Sequence, residues 1–196
     1  MAAKYRILVP RFWVDPLTQD LNDRQCRVFS YCVQGPQAAV DQNCTGIYEL
    51  YRGTFQNSPF RYELSEIDEV FDFFNKRKPR LLQYDSENHV VFIPSMFKHN
   101  GSYKKRLGMV MHSFAETFHK APQFWIQFAD KYYLQLFNEA FASWEGQKAD
   151  GKCEEEMKFL ERLKNIREEV EKISHAPGDS KAVSAIALVS QKKHQL

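Results

Sequence analysis

The chain has 196 residues, with 27 Lys and Arg against 25 Asp and Glu. That length buries a core without disulfide or metal staples, and the near-even charge excludes a protein that holds nucleic acid by bulk electrostatics, so any basic face is local. No apolar run approaches the ~20 residues needed to span a membrane.

Residues 4–10 read as a short extended arm, and Phe12, Trp13, Val14, Asp15 and Pro16 as an aromatic turn. Asn22 is a good N-cap, and Asp23 follows in a first turn where the helix dipole favours negative charge. The spacing predicts a helix over about 23–33 with Cys26, Val28, Phe29, Cys32 and Val33 inward. Gly35 and Pro36 end it, 37–45 reads as a polar loop, and 46–50 as a first strand. A short helix is expected over 50–57, broken at Ser58 and Pro59.

Ser65 then caps a helix over 66–78 whose acidic start and basic end suit the dipole. Its Ile67, Val70, Phe71 and Phe74 have the spacing of a buried stripe. The β-branched and aromatic runs 81–84 and 90–93 make a hairpin through 85–88. Phe92 is expected to face inward and meet Phe71 or Phe74. A short helical exit follows at 96–100, and Gly101 and Ser102 form a hinge.

Two further helices are expected over 103–118 and 122–142. The second carries apolar residues on more than one face and should be wedged between elements. Residues 147–152 read as a linker, 154–174 as a highly charged helix, and Ser180 as the cap of a brief helix with Val183, Ile186 and Val189 on one side.

Strand, helix, helix and hairpin in this order are the parts of a winged helix-turn-helix. The fold class expected is therefore mainly α with a small β-hairpin wing, followed by a helical extension. The expected domains are a winged helix over 1–101, helices over 102–146 packed on it, and a linker, charged amphipathic helix and tail over 147–196.

Several short patterns fall together in this stretch. They are Phe12 ahead of Asp15-Pro16, Arg24 and Tyr31 in the first helix, Gly46-Ile47-Tyr48-Glu49, Val70-Phe71 with Phe74, Leu82 with Tyr84-Asp85, and Val91-Phe92-Ile93 leading to Phe97-Lys98-His99-Asn100. Together they resemble the N-terminal domain of phage-type replication initiation proteins, relatives of the DnaD-like primosomal proteins. The likeness covers roughly the first two thirds of the chain. It implies a winged helix followed by a further helix, and a role in DNA replication. The chain departs from the family between residues 56 and 64, which form a longer, Pro59-containing segment before the second helix.

The local basic segments are Lys76, Arg77, Lys78 and Arg80, and Lys104, Lys105 and Arg106. In a winged helix the first lies near passing DNA phosphates. Cations at a helix C-terminus also stabilise the helix itself, and the two readings are compatible. With Arg6 and Arg11 these residues are the candidate DNA-backbone contacts. The presumed recognition helix carries Glu66, Asp68, Glu69 and Asp72, which repel phosphates and argue against base reading by that helix.

Phe159, Leu163, Ile166, Val170 and Ile173 repeat at four, three, four, three, a short heptad seam. The seam either mediates association with a partner or a second copy, or docks on its own domain. The six histidines show no metal spacing, and no phosphate loop or nucleophile elbow is present, so neither enzyme activity nor a metal or cofactor is expected. The four cysteines, Cys26, Cys32, Cys44 and Cys153, form no Cys-x-x-Cys pair, and no signal-peptide pattern opens the chain. The expectation is a cytoplasmic protein with reduced thiols.

Two functions follow as expectations. One is a phage-replication-type protein that binds DNA, largely without sequence specificity, through basic edges. The other is a protein adaptor or inhibitor using the winged helix as a docking platform.

Overall fold

A computed structural model describes residues 16–40, 45–57, 59–99, 106–145 and 153–174. The chain divides into two compact units, 1–100 and 101–196. It is mainly helical, with one small three-stranded antiparallel sheet.

In the first unit, α1 spans Asp23–Gln34. A reciprocal cap starts it: Gln25 N–H donates to Asn22 Oδ1, and Asn22 N–H donates to Gln25 Oε1, both at 2.9 Å. It ends at Gly35, whose N–H donates to the Tyr31 carbonyl at 2.6 Å. The polar loop expected next is in part a one-turn helix, α2, Pro36–Val40. Pro36 begins it because its fixed φ suits a first helical position and the N–H it lacks would be unpaired there anyway.

The strand β1 is Ile47–Glu49, and a 3-10 helix, Arg52–Gln56, takes the place of the longer helix expected there. Helix α3 is Leu64–Lys76. It starts before the expected cap Ser65, because Glu63 N–H is met by Glu66 Oε2 at 2.9 Å. It stops short of Lys78 because Pro79 disfavours helical backbone in the residue before it. The strands β2, Gln83–Asp85, and β3, Val90–Phe92, follow, and then α4, Met96–His99.

The sheet order is β1-β3-β2, with Tyr48 and Tyr84 both opposite Val91. The β2–β3 turn is organised by Asp85, whose Oδ1 accepts from the N–H groups of Glu87 and Asn88 at 3.0 Å each. Glycine is required at 46: its φ is +75°, and a Cβ there would lie 2.6 Å from the Ile93 carbonyl oxygen.

One face of the sheet packs on the helices. Tyr84 stacks on Phe71 at 4.1 Å between ring centroids, and the Tyr48 hydroxyl donates to the Cys32 carbonyl. Val91 shares that face by register. Side chains alternate along a strand, so Phe92 points the other way with Ile47 and Gln83. The expected contact of Phe92 with Phe71 or Phe74 is thus corrected by one residue, although Phe92 is just as buried as Val91. Phe55 centres the helix side of the core, with Tyr31, Phe60 and Phe71 around it at 5.1–6.1 Å.

Side chains meet both outer strands of the sheet. Asn75 Oδ1 accepts from Tyr84 N–H at 2.8 Å and its Nδ2 donates to the Tyr84 carbonyl at 3.0 Å, as a neighbouring strand would. Thr45 Oγ1 accepts from Ile47 N–H at 3.0 Å. Such caps blunt the tendency of edge strands to pair with other chains.

The second unit contains α5, Arg106–Thr117, α6, Pro122–Glu145, and α7, Cys153–Ser174. Phe114 is its hub, with Trp125 at 5.0 Å, Phe159 at 5.4 Å and the Arg162 guanidinium 5.0 Å over its ring. The buried Trp125 indole donates to Thr117 Oγ1 at 2.9 Å, which satisfies the one polar group the ring brings inside. Helix α6 buries one face, through Phe124, Trp125, Phe128, Tyr132, Tyr133 and Leu136, and its opposite side is open, with Leu134, Phe137 and Phe141 exposed. The expected wedging between elements is thus corrected to packing along a single stripe. No described helix is long and apolar enough to cross a membrane.

Candidate nucleic-acid interface

The basic run at the end of α3 is not one surface. Arg77 turns inward and is only 11% exposed. Its Nη1 and Nη2 each donate to an Asp20 carboxylate oxygen at 2.7 Å, and Nη2 also donates to the Leu17 carbonyl at 2.6 Å. The same guanidinium lies 5.6 Å from the Phe73 ring centroid. Arg77 therefore ties the turn at residues 16–20 to the C-terminus of α3 and is corrected from a DNA contact to a structural one.

Lys76, Lys78 and Arg80 remain exposed around that tie. Lys76 makes one solvated pair with Asp72 at 3.7 Å, worth little in water. Arg80 donates to Gln83 Oε1 at 2.6 Å, which holds its side chain against the start of β2. The structure thus brings three of the candidates together on one short segment. Arg6, Arg11, Lys104 and Lys105 lie outside the described residues. Arg106 opens α5, and its side chain also lies outside them.

The carboxylates of α3 are largely engaged by cations from elsewhere in the unit. Arg24 meets Glu66 and Arg52 meets Asp68, each at 2.5 Å, and Arg24 also sits 5.6 Å over the Tyr62 ring. Glu69 and Asp72 stay exposed. These arginines were not singled out from the sequence as partners of α3, because 42 and 16 residues separate them from their carboxylates.

The Arg77 hydrogen bonds hold the Asp20 carboxyl below its ordinary value of 3.8. A carboxylate pKa lowered by folding stabilises the native state above the unfolded value, and that contribution is lost as pH falls through the lowered one. Arg77→Ala is expected to lower the melting temperature at neutral pH by on the order of 5 °C. The difference from the unsubstituted chain should shrink as the pH is taken below the ordinary aspartate range. A melting curve unaffected at pH 7 would show that the tie contributes nothing.

The expected association seam is accounted for differently. Phe159, Leu163 and Ile166 are buried inside the second unit, together with Leu160, which the heptad spacing omits. The seam reading is corrected for these three: they pack within their own unit, and Phe159 meets Phe114. The side chains of Val170 and Ile173 lie outside the described residues. The polar flank of α7 carries the Glu154–Lys158 pair at 2.7 Å and a Lys164–Glu168 pair at 3.6 Å.

Among the described residues no group of His, Cys, Asp and Glu could hold a metal ion. Comparison of the chain with protein-family models, with curated proteins and with solved structures finds no match.

Proposed function

We propose that the unit of residues 1–100 is a winged-helix module that contacts the DNA backbone through Lys76, Lys78 and Arg80, in the manner expected of the phage-type replication initiation proteins its sequence resembles. Two features of the architecture support the winged-helix reading. A helix, a one-turn helix, a strand, a 3-10 turn in the place of the expected second helix, a further helix and a hairpin follow one another, and β3 lies between β1 and β2.

The observation that carries the DNA reading is the Arg77 tie. It fixes the backbone of the basic segment against residues 17–20, so the flanking cations are offered at a defined edge. Phosphate binding requires clustered positive charge, and no base-edge geometry is involved. The module acts by binding, without a catalytic step.

A second reading is favoured by a different observation. Glu69 and Asp72 on α3 and Glu87 in the hairpin turn are exposed and would repel phosphates. These exposed carboxylates suit a protein partner, with the module as a docking platform.

Replacing Lys76, Lys78 and Arg80 with Ala, and leaving Arg77 intact, separates the two. If all three neutralise phosphates, affinity for unrelated duplexes falls alike and the slope of log affinity against log salt flattens by about 3 units. Unchanged affinity and slope would remove this edge from any DNA contact.

A further inference from the structure

We propose that the groove along the outer side of α1 binds a peptide that places an aromatic side chain beside a carboxylate. The groove is open to solvent, offers about 370 Å³ and is lined by residues of α1 together with Pro36 and Phe60. That volume takes one large side chain. The site is separate from the basic edge and does not depend on the DNA reading.

Its apolar surface is preorganised. Tyr31 and Phe60 meet edge to face at 5.2 Å, and Phe55 backs both at 5.1 and 5.4 Å. The Tyr31 hydroxyl donates to Gln37 Oε1 at 2.5 Å, and the Gln37 amide donates in turn to Thr54 Oγ1 at 2.9 Å. The ring is therefore held by its tip while its body lines the groove. Aromatic rings that are already ordered bind with little further loss of side-chain freedom, and an aromatic guest adds edge or offset contacts to apolar burial.

The electrostatics choose the neighbour of that guest. Among the described residues lining the groove, Arg27 is the only charged one. It is exposed and makes no ion pair among the described residues, whereas Arg24 one turn earlier is occupied by Glu66. Among the described residues no carboxylate lines the groove, so the occupant that complements Arg27 carries one. A guanidinium takes a carboxylate through paired hydrogen bonds, which gives orientation as well as attraction. An aromatic residue adjacent to Asp or Glu supplies both halves.

Amide chemical shifts of the full chain, titrated with the acetylated and amidated tetrapeptides Gly-Asp-Phe-Gly and Gly-Lys-Phe-Gly and with inorganic phosphate, test this. The expected result is a saturable shift of Cys26, Ser30, Tyr31 and Phe60 with the acidic peptide, and at least tenfold weaker binding of the basic one. Arg27→Glu, an exposed change whose spectrum should otherwise stay native, is expected to reverse that preference. The proposal is overturned if neither peptide gives a saturable shift at millimolar concentration. It is equally overturned if both bind alike, or if phosphate alone reproduces the shifts and so reveals only an anion contact at Arg27.

Discussion

Leu163→Asp is expected to lower the melting temperature of the second unit sharply while leaving the mass of the chain in solution unchanged. Leu163 is fully buried, and its neighbours Phe159 and Leu160 are buried with it in the packing around Phe114. An aspartate there must either enter an apolar interior charged or take up a proton, and either route costs several kcal/mol. That is a large share of the ~5–15 kcal/mol that holds a typical protein together. Leu163→Ala is the milder companion, at about 2–5 kcal/mol from lost burial and the cavity left behind. Sedimentation equilibrium and thermal melts read the two properties separately. A lower mass at an unchanged melting temperature would mean that the seam joins chains instead of closing one unit.

The second large effect concerns the sheet. Phe92→Ala should cost about 3–5 kcal/mol, because a fully buried ring is removed. The informative experiment pairs milder changes. Phe92 and the stacked pair Phe71 and Tyr84 lie on opposite faces of the sheet, so Phe92→Leu and Phe71→Leu should add to within about 0.5 kcal/mol. Tyr84→Leu and Phe71→Leu remove the same stacking contact and should not add. Coupling of Phe92 to Phe71 beyond ~0.5 kcal/mol would place the register one residue away from that described, since such a slip exchanges the two faces of the strand.

Much of the first unit was legible from local chemistry. Asn22 caps α1 because its side chain competes well for a free N–H, and that preference needs no knowledge of the fold. The inward stripe of α3 and the hairpin around Asp85 are likewise local patterns. Phe92 shows where locality stops. In a strand flanked by buried residues on both faces, Val91 and Phe92 are equally apolar, and hydrophobicity cannot decide which meets the helices. Only the pairing with Tyr84 does.

The candidate site was legible as a cluster but not as individual roles. In the sequence Lys76, Arg77, Lys78 and Arg80 are equivalent cations. The inward turn of Arg77 depends on Asp20, 57 positions away, and no spacing rule connects them. The same holds for Arg24 and Arg52, which moderate the acidity of α3 that the sequence shows uncompensated. On α7 the heptad spacing identified the buried side but left open what it packs against. Phe114, on α5, supplies part of that answer for Phe159.

The affinity of the intact chain for a duplex of arbitrary sequence, followed across a salt titration, tests the central claim most directly. Contacts from Lys76, Lys78 and Arg80 predict a linear fall of log affinity with log salt and a slope near −3, and an unrelated duplex should give the same line. A chain that shows no binding at low salt, or an affinity that does not change with salt, would contradict the DNA-backbone reading and leave the acidic face of α3 as the working surface.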